Sequence, residues 1–251
     1  MALSEWHRHR PPRTLSHMSL TFRRLGLDPE FVDYSECWDL QRTIHSEVLA
    51  GERSPEVLLL EHASVYTAGK RTEEIDRPHD GTPVVDVDRG GKITWHGPGQ
   101  LVAYPIIPLA NRGAVKDYVW RLEEVLIKVV ADYGIEATRV EGRAGVWVLG
   151  TAGAQDRKIA AIGIRVLKGV TLHGFALNCS NSLAAYNRII PCGITDASVT
   201  TISDEIGRDV KPSDIVERVQ EEFERLLPAA LAPESAHKAA STEPTTQGVP
   251  A

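Results

Sequence analysis

One cysteine of this 251-residue chain stands in a setting suited to nucleophilic chemistry. Cys192 occupies Ile189-Ile190-Pro191-Cys192-Gly193-Ile194. Proline fixes φ before it and glycine permits an unusual backbone after it, so the thiol sits in a tight turn following an apolar pair. Such a turn can expose a sulfur and bring backbone N–H groups beside it, the requirements for a nucleophile with an oxyanion pocket. A buried structural cysteine beside a loop proline is the plainer reading of the same residues. Lys158 is a candidate base. It opens Arg157-Lys158-Ile159-Ala160-Ala161-Ile162-Gly163, and a lysine drawn into a core by an apolar strand binds its proton less tightly. A solvated strand terminus is the alternative. His96 and His173 are alternative bases or hydrogen-bonded structural histidines. Cys179, in Asn178-Cys179-Ser180, lacks the proline–glycine frame.

A second stretch suits ligand holding: Arg89, Gly90, Gly91, Lys92, Ile93, Thr94, Trp95 and His96, continuing Gly97-Pro98-Gly99-Gln100. Four glycines let backbone approach a ligand closely, and two fixed cations beside them fit an extended carboxyl or thioester. The stretch reads as a loop between two apolar runs, Val84–Val87 and Leu101–Ile107; a hairpin whose glycines only turn the chain is the alternative. No HExxH, CxxC or clustered carboxylates argue for a metal, and GxxxxGK[ST] and dinucleotide fingerprints are absent from the sequence.

The elements that must position these residues follow from periodicity. A first strand covers Thr21–Gly26. Tyr34–Ala50 repeats apolar Cys37, Leu40, Ile44 and Val48 at helical spacing and stops at Gly51; Cys37 on that stripe is a small core residue. Val57–Leu60 is a buried strand leading into a polar loop, Glu61–Arg71, where His62 and Tyr66 are candidates for lining a site. Val115–Tyr133 is an amphipathic helix with Val115, Val119, Leu122, Leu126 and Val129 as its stripe. Ile135–Val140 and Gly145–Leu149 read as strands. Lys158–Leu167 and Thr171–Asn178 form a hairpin across Lys168-Gly169-Val170. Pro212–Leu227 is a last helix.

Composition bounds the class. A 42% hydrophobic, 25% charged chain can bury a large core. A formal charge of −6 and no basic stripe argue against nucleic acid. No apolar run approaches the ~20 residues of a membrane span, no apolar signal region is visible near the start, and three unpaired cysteines suit a reducing, cytoplasmic setting. Residues 1–18, rich in Pro, Arg and His, read as a disordered extension or an upstream start before Met18. Residues 19–228 read as one catalytic α/β (α+β) domain, and 229–251 as a disordered tail.

The motifs Arg89–Gln100, Lys158–Gly163, His173–Asn178 and Pro191–Ile194, in this order, resemble the lipoate–protein ligase B family, the octanoyl-[acyl carrier protein]:protein N-octanoyltransferases. The resemblance covers residues 20–227. It implies the fold of biotin and lipoate ligases, a mixed β-sheet with helices packed on one side. It also implies Cys192 as the acyl-accepting nucleophile and Lys158 as its base. Arg89 to His96, with Ala161, Ile162, Gly163, Gly174, Phe175 and Ala176, would line the acyl site. The implied donor is octanoyl-acyl carrier protein. The acceptors are apo lipoyl domains of 2-oxoacid dehydrogenase complexes and the glycine cleavage H protein; no nucleic acid, membrane, metal or cofactor is called for. Carrier proteins and lipoyl domains are typically acidic, so Lys70, Arg71, Arg89, Lys92 and Arg165 are expected near the entrance. One departure is Ala63 where the family loop has proline, which is expected to loosen that loop. An ATP-dependent ligase of the same fold and a non-catalytic lipoyl-domain-binding module are the competing readings.

Overall fold

A computed structural model describes residues 20–111, 113–189 and 197–227. In chain order these form β1 (Thr21–Gly26), α1 (Tyr34–Ala50), β2 (Glu56–Leu60), β3 (Val65–Ala68), β4 (Val84–Asp86), β5 (Ile93–His96) and β6 (Gln100–Ile106). Then come α2 (Ala114–Ala131), β7 (Thr138–Val140), β8 (Arg143–Val148), β9 (Arg157–Leu167), β10 (Val170–Asn178), β11 (Ser198–Val199), α3 (Ile202–Ile206) and α4 (Pro212–Leu226).

The main sheet runs β1-β2-β6-β10-β9-β8-β7. Only the β1/β2 and β9/β11 pairs are parallel, so the sheet is mixed. Its three central strands β2, β6 and β10 are buried along their whole length, which requires cover on both faces. Alternation divides their side chains. Val57, Leu59, Leu101, Ala103, Phe175 and Leu177 meet α2 and α4 on one face. Leu58, Leu60, Val102, Tyr104, Ile106 and Ala176 meet Cys37, Ile44 and Val48 of α1 on the other. The expected one-sided helical layer is thereby corrected: period-2 apolar strands with no polar face demand helices on both sides.

Local chemistry sets the boundaries. Asp33 caps α1 by accepting from the N–H groups of Ser35 and Glu36 at 2.8 and 3.0 Å, and Gly51 closes it in the left-handed region, φ 74°. The β9–β10 hairpin turns on Lys168 and Gly169, both with positive φ, the pattern of a tight two-residue turn. The buried face of α2 centres on Tyr118, Leu122, Val125 and Val129. Val115 and Val119 are half-buried, so the stripe is rotated from the expected one.

A second sheet, β4-β3-β5, is the main difference from expectation. Both Ile93–His96 and Val65–Ala68 read as loop in the sequence because each is four residues long and rich in polar types. They pair antiparallel with each other instead. Ile93 and Trp95 bury one face of this sheet against Tyr66, Tyr186 and Ile189. Thr94 and His96 face the other way. The residue at the family's proline position also behaves differently from expectation. The N–H of Ala63 donates to Val32 O at 3.2 Å, a bond proline could not make, so the substitution adds a tie to this loop.

Candidate active site

Between the two sheets lies a cavity of about 240 Å³. Its walls come from the loops after β3 and before β5, the face of β5, the paired strands β9 and β10, the β7–β8 turn with the start of β8, and single residues of α1 and β6. The loop before β5 is fastened first. Arg89 is 6% exposed, and its guanidinium donates to Gly90 O (3.0 Å), Lys92 O (2.8 Å), Thr67 O (2.7 Å) and Thr67 Oγ1 (2.9 Å). A planar fork of donors suits such a cage of carbonyls. Asp88 pairs with Arg165 of β9 and accepts from His173 Nε2 of β10 at 2.8 Å, and Gly90 N donates to Ile164 O at 2.9 Å. The loop is thus pinned to both sheets.

Two glycines paired across β9 and β10 leave room on this floor, Gly163 for the loop and Gly174 for the neighbouring strand β6. A Cβ at Gly163 would come within 2.9 Å of Arg89 Cδ, and one at Gly174 within 2.0 Å of Ala103 O. Gly174 therefore requires the bare backbone, and Gly163 admits a methyl only if the Arg89 side chain gives way.

Of the residues singled out in the sequence, Arg89, Gly91, Lys92, Thr94, His96, Lys158, Ala161, Ile162, Gly163, His173, Gly174, Phe175 and Ala176 line the cavity. Gly90, Ile93 and Trp95 do not: Gly90 turns its carbonyl to Arg89, and strand alternation turns Ile93 and Trp95 into the small core beyond β5. Cys192 lies outside the described residues. The chain on either side of it is placed. Ile189 packs beside Trp95 and Tyr186, and β11 pairs with the start of β9, Val199 opposite Lys158, with Thr200 N donating to Lys158 O at 3.0 Å. Lys158 itself is 6% exposed, with Nζ 4.8 Å from the Trp147 ring centroid, a cation–π contact.

Three histidines stand near the cavity, all depressed chiefly by burial. His62 falls to about 4, His96 to about 3 and His173 to about 3. His173, in the left-handed region at φ 59°, is committed to Asp88 through Nε2 and serves as a clamp. His62 is not a wall; its Nδ1 donates to Val32 O (2.9 Å) and its Nε2 accepts from the Tyr104 hydroxyl (2.8 Å). Tyr66 is no wall either, its hydroxyl donating to Ala185 O. The other thiols are poor nucleophiles: burial pushes Cys37 up to about 12 and Cys179 higher still.

Tyr34, Tyr104, Arg71, Gly142, Arg143 and Ala144 complete the walls. Burial holds Tyr34 up at about 12 and Tyr104 well above its ordinary value, so both stay protonated. Tyr34, Tyr104 and Arg143 had no local signal, because three separate elements deliver them. Of the cations expected at the entrance, Arg71, Arg89 and Lys92 are walls; Lys70 and Arg165 are not. Among the described residues, no three His, Cys, Asp or Glu side chains cluster to hold a metal, and no helix is long and apolar enough to cross a membrane.

Comparison with known proteins shows the family. The family model "Lipoyl protein ligase A/B catalytic domain" matches residues 33–224. An octanoyltransferase of Pseudarthrobacter chlorophenolicus is 66% identical over 208 residues, 83% of this chain and 94% of that one. One from Paenarthrobacter aurescens is 65% identical over the same shares. Among solved structures, an archaeal bi-partite lipoate protein ligase with its E2 lipoyl domain, from Thermoplasma acidophilum, aligns with a TM-score of 0.64. It shares 13% identity and covers 89% of this chain and 91% of that one, a likeness of fold alone. The chain belongs to the lipoyl protein ligase A/B catalytic domain family, among its octanoyltransferases.

Proposed function

We propose that this protein moves an octanoyl group from the thioester of acyl carrier protein to a lysine of an apo lipoyl domain, by way of a thioester on Cys192. The observation that carries the reading is Lys158: a buried lysine on the wall of a ligand-sized cavity, joined through β11 to the chain that follows Cys192. Ser198 follows Cys192 by six positions in the chain, and at ~3.5 Å per residue six steps span at most ~20 Å.

In the first half-reaction the Cys192 thiolate attacks the octanoyl carbonyl carbon. The bond to the carrier's sulfur breaks, and that sulfur leaves with the proton that the Lys158 ammonium gives up, which leaves Lys158 neutral. The Lys158 ammonium favours the thiolate before attack. In the second half, the acceptor amine attacks the Cys192 thioester, the C–S bond breaks, and neutral Lys158 takes the proton that nitrogen loses. Thioester exchange is nearly balanced and amide formation from a thioester runs downhill, so no nucleotide is consumed. Ile162, Phe175 and Ala176 supply apolar wall for the alkyl chain, whose burial contributes ~0.8 kcal/mol per CH₂. The cavity is below the ~300–1,000 Å³ of drug-sized sites, which suits one unbranched chain. The acceptors are lipoyl domains of 2-oxoacid dehydrogenase complexes and the glycine cleavage H protein, and Arg71 and Arg143 at the walls favour acidic partners.

The test is transfer from purified octanoyl-carrier protein to apo lipoyl domain without nucleotide. Wild type is expected to modify one lysine, and Cys192→Ala to modify none. Activity that survives Cys192→Ala, or that needs ATP and free acid, would support a ligase instead.

A further inference from the structure

A chain of buried hydrogen bonds joins His96 to the residues around Lys158, and its polarity can be read from one end. That end is Thr200 O, a backbone carbonyl, which only accepts. Asn178 donates to it through Nδ2 at 3.0 Å, so Asn178 Oδ1 must face the other way as an acceptor. Gln100 lies there at 2.9 Å, so the group it presents is its Nε2, which also donates to the Tyr186 hydroxyl at 2.9 Å and approaches Trp95 O at 3.4 Å. Gln100 Oε1 is therefore turned to His96 Nδ1, 2.8 Å away. An oxygen there requires the proton to be on Nδ1. His96 Nε2 is then a bare lone pair, on a ring that forms part of the cavity wall. Gln100, Asn178 and Thr200 are 1%, 4% and 3% exposed, so water does not scramble the order.

We propose that Gln100 and Asn178 are positioning residues that fix His96 as an Nδ1–H tautomer, so that Nε2 accepts an N–H from the lysine amine taking the acyl group. This rests on the octanoyl transfer proposed above. An attacking amine must aim its lone pair at the carbonyl carbon, and an acceptor for one N–H sets that aim. Proton accounting is consistent: the amine nitrogen has two hydrogens, one passes to Lys158, and the one held by His96 stays in the amide. His96 itself gains no proton, in keeping with a ring that burial keeps neutral. The same polarity excludes His96 from the oxyanion pocket, which needs donors. The tilted His62 ring at 5.9 Å and the stacked Tyr34 ring at 6.1 Å hold its plane.

The test has two independent arms. Long-range ¹H–¹⁵N correlation on histidine-labelled full-length protein reads the tautomer directly; His96 is expected as Nδ1–H, and an Nε2–H signal would overturn the proposal. Single-turnover kinetics then separate the half-reactions. Gln100→Met is expected to acylate Cys192 near the wild-type rate but to slow transfer to the lipoyl domain about tenfold, the worth of one hydrogen bond. Asn178→Leu should behave alike, whereas Asn178→Asp, which loses the Thr200 bond but keeps an acceptor facing Gln100, should retain the tautomer and most of the transfer rate. Equal loss in Asp and Leu variants, or unchanged transfer in Gln100→Met, would contradict it. If wild type forms no acyl-enzyme, the transfer reading fails while the tautomer measurement still stands.

Discussion

Lys158 is asked to do two things, to hold charge beside a thiolate and to give that charge up, and a substitution can separate them. Lys158→Arg keeps a cation but no exchangeable proton near neutral pH. It is expected to leave Cys192 reactive toward thiol reagents yet to slow turnover by about 10²-fold or more, the usual worth of a general base. Turnover retained in Lys158→Arg would argue that charge alone matters. At this scale the sequence was informative where function lies in contiguous residues. Arg89 to His96 could be named from glycines and cations in one run, and Lys158 from the apolar strand behind it. Tyr34, Tyr104 and Arg143 could not, since they come from α1, β6 and the β7–β8 turn and meet only across the cavity. Period-2 alternation also removes Ile93 and Trp95 from the walls, which required knowing that β5 is a strand.

At the scale of elements, the paired glycines of β9 and β10 make contrasting predictions. Gly174→Ala would drive a methyl into the backbone oxygen of Ala103, and neither β6 nor β10 can move without opening the core. A loss of about 3 kcal/mol in urea unfolding is expected. Gly163→Ala meets the Arg89 side chain instead, which can shift, so the fold should lose about 1 kcal/mol while KM for the octanoyl donor rises. Equal effects of the two substitutions on stability would undermine this account of the site's floor. The long helices and the β9–β10 hairpin were legible because their periodicity runs over many residues. Strands β3 and β5 were not, because four-residue strands carry too few alternations to read, whereas β4 lies in the apolar run Val84–Val87.

For the whole molecule, buried histidines tie stability to pH: burial lowers the pKa of His45, and it lowers the three beside the cavity further. Each has a folded-state pKa below the ordinary 6.5, at about 4 for His62 and about 3 for His96 and His173. Between those values and pH 6.5 the unfolded chain binds more protons, so stability rises with pH across that window and falls on acidification. At about 1.4 kcal/mol per unit, each histidine withdraws on the order of 2 kcal/mol between pH 6.5 and 5. Urea unfolding at pH 7 and pH 5 should show the loss, with a shallower dependence in His96→Gln; a flat profile would contradict the buried neutral assignment. We also propose that residues 19–228 are the whole catalytic unit, so a chain trimmed to them is expected to transfer octanoyl at the full-length rate.

The central claim is the covalent intermediate, and intact-protein mass spectrometry after mixing with octanoyl-carrier protein tests it most directly. The account predicts a gain of one octanoyl group on wild type, absent from Cys192→Ala and removed by hydroxylamine or by apo lipoyl domain with the acyl group recovered on the latter. Transfer to the lipoyl domain with no adduct at any time, or an adduct that persists in Cys192→Ala, would contradict it.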